Sequence, residues 1–119
     1  MILGIGVDVV HVRRIHHWLE TPGLVDRFFH PDEITASLGR GHAAALSLAA
    51  RFAAKEAMMK ALGHAYGWRE IEVIRGKGAP TLRLHGRAQQ RAAAVGIRHI
   101  HLSLSHTATL AIAYVIAES

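Results

Sequence analysis

Hydrophobic and polar positions follow two different periods along this chain, and the switches between them mark out its elements. Ile2 to Val10 is an apolar run interrupted only by Gly4, Gly6 and Asp8, which reads as a buried strand. From Val12 the period lengthens: Val12, Ile15 and Leu19 recur at helical spacing, with Arg13 and Arg14 on the flank of the stripe. Thr21-Pro22 predicts an N-cap followed by proline at the first helical position, and His30-Pro31-Asp32-Glu33 predicts a second helix start with acids in its first turn. Gly39-Arg40-Gly41 ends that segment and leads into the longest periodic stretch.

A helix is expected over Ala43 to Leu62, with Leu48, Phe52, Met59 and Leu62 on one stripe at about 100° per residue. Glu56 and Lys60 fall along its edge, one turn apart. Such a pair is a common surface ion pair of a helix, and it is also a carboxylate fit for a metal beside an ammonium fit for a phosphate. Lys55 falls on the apolar stripe itself. Either it snorkels to the rim on its long stem, or its ammonium supports a site beside Glu56.

Beyond Gly63-His64-Ala65-Tyr66-Gly67 the period shortens. Ile71 to Arg75 and Thr81 to His85 are expected strands around the turn Gly76-Lys77-Gly78-Ala79-Pro80, followed by a helix from Gly86 to Val95 capped by Gly96. In Ile100 to Ser105, the residues Ile100, Leu102 and Leu104 alternate against His101, Ser103 and Ser105, as in a strand with one lightly packed face. After His106-Thr107-Ala108, the segment Thr109 to Ala117 is apolar on both faces, so both faces should be covered, the second by another subunit. At 119 residues the chain reads as one small domain, residues 1–119, in the order strand, helices, hairpin, helix, hairpin.

The chain has no cysteine, which excludes disulfide scaffolds and thiolate metal sites and favours a cytoplasmic setting. Its first ten residues lack a basic leader, carry an acid and are too short to cross a bilayer, so neither signal peptide nor membrane anchor is expected there. A formal charge of +5 calls for an acidic partner, whether nucleic acid, anionic cofactor or acidic protein. Scattered basic residues and sparse aromatics weigh against nucleic acid. Ten histidines include the pairs His16-His17 and His99/His101, but neither pair has a third ligand at a recognisable spacing.

Asp8 is the remaining charge that needs a partner. Gly4 and Gly6 precede it on its own face of the strand, leaving space beside the carboxylate, and a buried carboxylate must meet a cation, a metal or a ring of donors. Together with Glu56 it offers two hard oxygen ligands from two packed elements, the usual protein share of a Mg²⁺ shell completed by water and substrate phosphate. Lys60, Arg51 and His106 are the nearby cationic candidates.

Three segments resemble one family. Ile5-Gly6-Val7-Asp8-Val9-Val10 with Arg13-Arg14-Ile15, then Arg51-Phe52-Ala53-Ala54-Lys55-Glu56-Ala57 with Lys60-Ala61-Leu62-Gly63, then Leu102-Ser103-Leu104-Ser105-His106-Thr107, are similar to the bacterial holo-acyl-carrier-protein synthases, nearly end to end and in the same order. The resemblance implies an α+β fold of the 4'-phosphopantetheinyl transferase type, a small antiparallel sheet packed with one long and several short helices. It also implies transfer of the phosphopantetheine arm of coenzyme A to a serine of an apo acyl carrier protein, with release of adenosine 3',5'-bisphosphate. It further implies Mg²⁺ held by Asp8 and Glu56, coenzyme A contacted by Arg51, Lys60, Gly63, His106 and Thr107, and an acidic carrier met by Arg13 and Arg14. Members of this size are typically homotrimers with an active site in each interface. The serine proton could pass to Glu56 or to a metal-bound water, and the carrier could serve fatty-acid synthesis or a polyketide pathway.

The chain also departs from that family. Its turn reads Gly78-Ala79-Pro80 where relatives often have Gly-Lys-Pro, with Lys77 close by. Met59 replaces a small polar residue found in relatives, and Gly63-His64-Ala65 stands for the usual Gly-Thr-Gly. Two other readings compete: a basic non-enzymatic RNA-binding module, and a relative that binds coenzyme A or carrier without transferring.

Overall fold

The computed structural model describes all 119 residues. The strand β1 (Ile2–His11) is followed by three short helices, α1 (Val12–Leu19), α2 (Leu24–Phe28) and α3 (Pro31–Leu38), and then by the long α4 (Ala44–Leu62). A hairpin of β2 (Ile71–Ile74) and β3 (Thr81–Leu84), the helix α5 (Gly86–Val95), and the strands β4 (His99–His106) and β5 (Leu110–Glu118) complete the chain. The main sheet is antiparallel with order β1-β5-β4, while β2 and β3 pair separately. This is the expected α+β architecture.

Helix α4 crosses the inner face of the main sheet at very short range. A Cβ on Gly4 would stand 2.1 Å from the carbonyl oxygen of Ala61, and one on Gly6 would stand 1.8 Å from that of Ala57. Only glycine admits so close a backbone approach. The space expected beside Asp8 is therefore taken by the helix backbone. Alanines complete the contact from both sides, with Ala53 and Ala57 of α4 and Ala111, Ala113 and Ala117 of β5 wholly buried.

α4 is also enclosed on its remaining sides, unlike the half-exposed stripe the sequence predicts. Only Leu46, Glu56 and Lys60 of its 19 residues are not buried. Trp18, Phe28 and Trp68 pack around Phe52, with Trp18 stacked on Phe28 at 4.3 Å and Trp68 4.8 Å from Phe52. Its C-terminus is closed by Gly63 in the left-handed conformation (φ 74°), as expected.

Lys55 takes neither position that the sequence left open. It is fully buried, its Nζ donating to Glu33 Oε1 at 2.6 Å, to the Trp68 carbonyl at 3.0 Å and to the Ile71 carbonyl. Glu33 also accepts from the backbone N–H groups of His30 and Val73, so one buried ion pair fastens α3, α4 and β2 together. His30 caps α3 with Pro31 at its first position, as predicted. The start predicted at Thr21-Pro22 is displaced: α2 begins at Leu24 behind Gly23 (φ 79°), and the Thr21 hydroxyl donates instead to the His17 carbonyl at the end of α1.

The inner face of β5 is sealed by α4, but its outer face is not covered. Tyr114 lies there, 41 % exposed, with Ile112 and Ile116 half-buried beside the exposed Ile5, Val7 and Val9 of β1. No helix is long and apolar enough to cross a membrane.

Candidate active site

Strand β1 and helix α4 bring Asp8, Glu56 and Lys60 together. The Lys60 Nζ donates to the Val7 carbonyl at 2.9 Å and lies 3.3 Å from Asp8 Oδ1. Lys60 thus pairs with the strand, and the helical Glu56–Lys60 ion pair is not what organises this edge. The Asp8 side chain is only 13 % exposed, whereas that of Lys60 is 55 % exposed and free to swing toward a ligand.

Glu56 stands next to Asp8, and the two carboxyls disturb each other. Burial first, and then the negative charge of Asp8, raise the Glu56 pKa above its ordinary value of 4.5. A hydrogen bond from the protonated Glu56 to Asp8 acts in the same direction, while Arg14 and Lys60 oppose it. Two crowded carboxylates with incomplete cationic compensation are a fitting donor pair for a hard divalent cation. A cavity of about 330 Å³ opens beside them, lined by Glu56, Met59, Lys60, Ala65, Tyr66 and Trp68. Met59 therefore lies at the rim of this cavity as well as in the core.

Arg51 and His106 lie elsewhere. Arg51 is five residues before Glu56 and nine before Lys60, which turns it about 140° and 180° away around the helix. It is 3 % exposed, donates to the Ser47 hydroxyl, and leaves its Nε without a hydrogen-bond partner. Burial chiefly lowers its pKa, opposed by Glu33 and assisted by Arg75 and Arg40.

His106 borders a second opening of about 380 Å³ with Arg40, Arg75, Ala79, Pro80 and Ser105 among its walls. Arg40 and Arg75 are functional candidates that sequence reasoning did not select. Arg40 was visible only as part of a glycine-flanked helix break, and Arg75 as the end of a strand. The turn carrying Ala79 lines this opening with His106, without a lysine at position 79.

Gly63 and Thr107 have structural tasks already. Gly63 caps α4, and the Thr107 hydroxyl accepts from the backbone N–H groups of Thr109 and Leu110 at 3.3 and 3.0 Å, shaping the turn into β5. Arg13 and Arg14 diverge. Arg13 faces a 390 Å³ groove with His11, His16 and Thr109, whereas the Arg14 guanidinium lies 5.2 Å from the centres of both the Trp18 and Phe52 rings, toward Glu56.

Residues 4–115 match the family described as the 4'-phosphopantetheinyl transferase superfamily, and the chain belongs to this family of enzymes. Its place in that family is with the holo-acyl-carrier-protein synthases. It is 52 % identical over 122 residues to the holo-acyl-carrier-protein synthase of Clavibacter michiganensis, covering 99 % of this chain and 97 % of that one. The crystal structure of the Neisseria meningitidis synthase superposes with a TM-score of 0.89 at 31 % identity, covering 100 % of both chains. That of the Bacillus anthracis synthase, in complex with CoA (3',5'-ADP), superposes with a TM-score of 0.83 at 32 % identity over 100 % of this chain and 98 % of that one.

Proposed function

We propose that this protein transfers 4'-phosphopantetheine from coenzyme A to a serine of an apo acyl carrier protein, in a Mg²⁺-dependent reaction that releases adenosine 3',5'-bisphosphate. The observation that carries the reading is the meeting of Asp8, Glu56 and Lys60 beside an open cavity, in a chain that is similar end to end to holo-acyl-carrier-protein synthases. The CoA complex of the Bacillus anthracis relative supports coenzyme A as the donor.

Asp8 and Glu56 would hold the Mg²⁺, which supplies charge neutralisation on the pyrophosphate. Lys60, 55 % exposed at its side chain, would turn from Asp8 to a phosphate oxygen, adding a second positive charge where negative charge accumulates. The serine hydroxyl attacks the phosphorus that carries pantetheine. As the new P–O bond forms, the P–O bond to the adenosine 3',5'-bisphosphate breaks and that group leaves with its electron pair. The serine proton goes to Glu56 or to a water beside it. Arg13, with His11 and His16 nearby, presents positive charge to an acidic carrier.

The coenzyme residues fall into two groups that a single chain holds apart: Lys60 with the carboxylates, and Arg51 and His106 with Arg40 and Arg75. A homotrimer would let one subunit's first group face another's second, and the uncovered apolar face of β1 and β5 is the surface available for such assembly. We place the reaction in the cytoplasm, in keeping with a cysteine-free sequence.

The test is mass spectrometry of apo carrier incubated with coenzyme A and enzyme. A 4'-phosphopantetheine adduct is expected with Mg²⁺ and is lost with chelator and in Asp8→Ala and Glu56→Ala. Undiminished activity in both variants would sink the site assignment. Coenzyme binding without transfer would identify an inactive relative.

A further inference from the structure

A run of buried polar side chains stands behind Arg51 and joins α3 to α4. Ser37 is wholly buried near the end of α3, and Ser47 and Arg51, 8 % and 3 % exposed, lie one turn apart on α4. The hydroxyl oxygens of Ser37 and Ser47 are 2.9 Å apart, and Arg51 Nη1 donates to Ser47 Oγ. A guanidinium only donates, and a hydroxyl has a single proton to give. Ser47 thus accepts from Arg51 and passes its own proton to Ser37, which fixes the direction of the relay.

Arg51 lacks the counter-charge that normally accompanies burial. The carboxylate that acts on it, Glu33, is already held by the Lys55 ammonium and by the N–H groups of His30 and Val73. The Nε of Arg51 is buried and unpartnered. In the walls of a cavity of about 240 Å³, Arg51, Arg75 and Arg83 set three positive charges against the two negative charges of Asp32 and Glu72. The missing counter-charge and this excess both call for an anion, and phosphate oxygens match the donor fork of a guanidinium.

Ser47 stands between this cavity and the region of His106. It borders a smaller cavity of about 60 Å³ with Arg40, Arg75 and His106, which no acid lines, and Arg75 belongs to the walls of both. The serine pair is not required to hold the helices together, because the buried pair of Glu33 and Lys55 already fastens α3 to α4. What the two hydroxyls add is a fixed seat for one end of the guanidinium.

We propose that Ser47, backed by Ser37, is a positioning residue for coenzyme A: it anchors Nη1 of Arg51, so that the other donors of the guanidinium meet a phosphate of the coenzyme in one fixed orientation. The inference rests on the reading of Arg51 as a coenzyme contact and extends it to two side chains that act only through Arg51. Preorganisation of this kind lowers the ordering cost of binding. It therefore shows in the affinity for coenzyme A and not in the transfer step.

The test is calorimetry of the full chain with coenzyme A and Mg²⁺, paired with transfer kinetics read by carrier mass. Ser47→Ala should weaken coenzyme binding about tenfold and raise KM in step, with kcat unchanged within about twofold. Ser37→Ala should weaken binding less, about threefold, and Ser47→Thr, which keeps the oxygen, should bind as the parent does. Arg51→Ala should lose more than Ser47→Ala, and the double variant no more than Arg51→Ala alone. Parent-like affinity in Ser47→Ala beside weakened binding in Arg51→Ala overturns the positioning role and leaves the coenzyme reading standing. So does a double variant whose losses add, or a Ser47→Ala protein that melts earlier but keeps its KM. Parent-like affinity in Arg51→Ala removes the coenzyme reading itself, and the inference with it.

Discussion

Helix α4 carries two lysines five residues apart, and each meets a carboxylate from another element, yet the two pairs are opposites. Lys55 and Glu33 are wholly buried, and every donor of the ammonium has a partner, which makes a closed structural clamp. Lys60 and Asp8 lie at an opening, with a second carboxylate, Glu56, crowding the first. Every donor of the clamp's ammonium has a partner, whereas in the open group burial and the neighbouring Asp8 raise the Glu56 pKa despite Arg14 and Lys60. An ion pair on this helix therefore reads as structure or chemistry according to what is left unbalanced around it.

That contrast predicts that the two lysines fail differently. Lys55→Met should destabilise the fold by about 3–5 kcal/mol by stranding Glu33 in the core, seen as a lower denaturation midpoint, while any folded fraction keeps its transfer activity. Glu56→Ala should leave the melting temperature near that of the parent or above it and lower transfer about 10²–10³-fold, measured by carrier mass. Lys60→Ala should lower kcat about tenfold or more with little change in stability; retention within a few-fold would mean that this lysine is only a surface partner of Asp8. Subunit mixing sharpens the comparison from another direction. Glu56→Ala and His106→Ala proteins, each inactive alone, should recover part of the activity when coassembled, because some interfaces would join two intact halves.

The smallest effect is electrostatic. The folded pKa of Glu56 is raised above 4.5, so the native state holds the proton more tightly than the unfolded chain. Metal-free stability should fall as pH rises from about 4.5 through the folded pKa. Glu56→Gln should remove that slope, measured as melting temperature against pH without Mg²⁺. Activity should decline toward acid pH, where a proton competes with Mg²⁺ for the Glu56 carboxylate.

Much of the fold was legible because it depends on local pattern: the helical spacing through α4, the stop at Gly63, the cap at His30-Pro31 and the alternation in β4. Asp8 was legible as a charge out of place in an apolar strand, whereas Glu56 read as half of an ordinary helical ion pair until Asp8 and the family resemblance singled it out. The partner of Lys55 was not, because Glu33 lies 22 residues away and only the packing of α3 on α4 joins them. Arg40 and Arg75 escaped for the same reason. At Thr21-Pro22 a cap signal was overridden by the tight return between α1 and α2, where Gly23 supplies the left-handed turn. The wet face of β4 and the apolar outer face of β5 were both readable, but the alternation cannot name the neighbour that covers them.

The contact between β1 and α4 works as a vernier. Two residues of strand advance about 6.7 Å and four residues of helix about 6.0 Å, so Gly4 over Ala61 and Gly6 over Ala57 keep the two elements nearly in step. The next graduation on the strand is Asp8, and the separation of Asp8 and Glu56, the two carboxylates proposed to hold the metal, is thus dictated by backbone atoms outside the site. A methyl group at position 6 would recalibrate the proposed site without touching any of its charges.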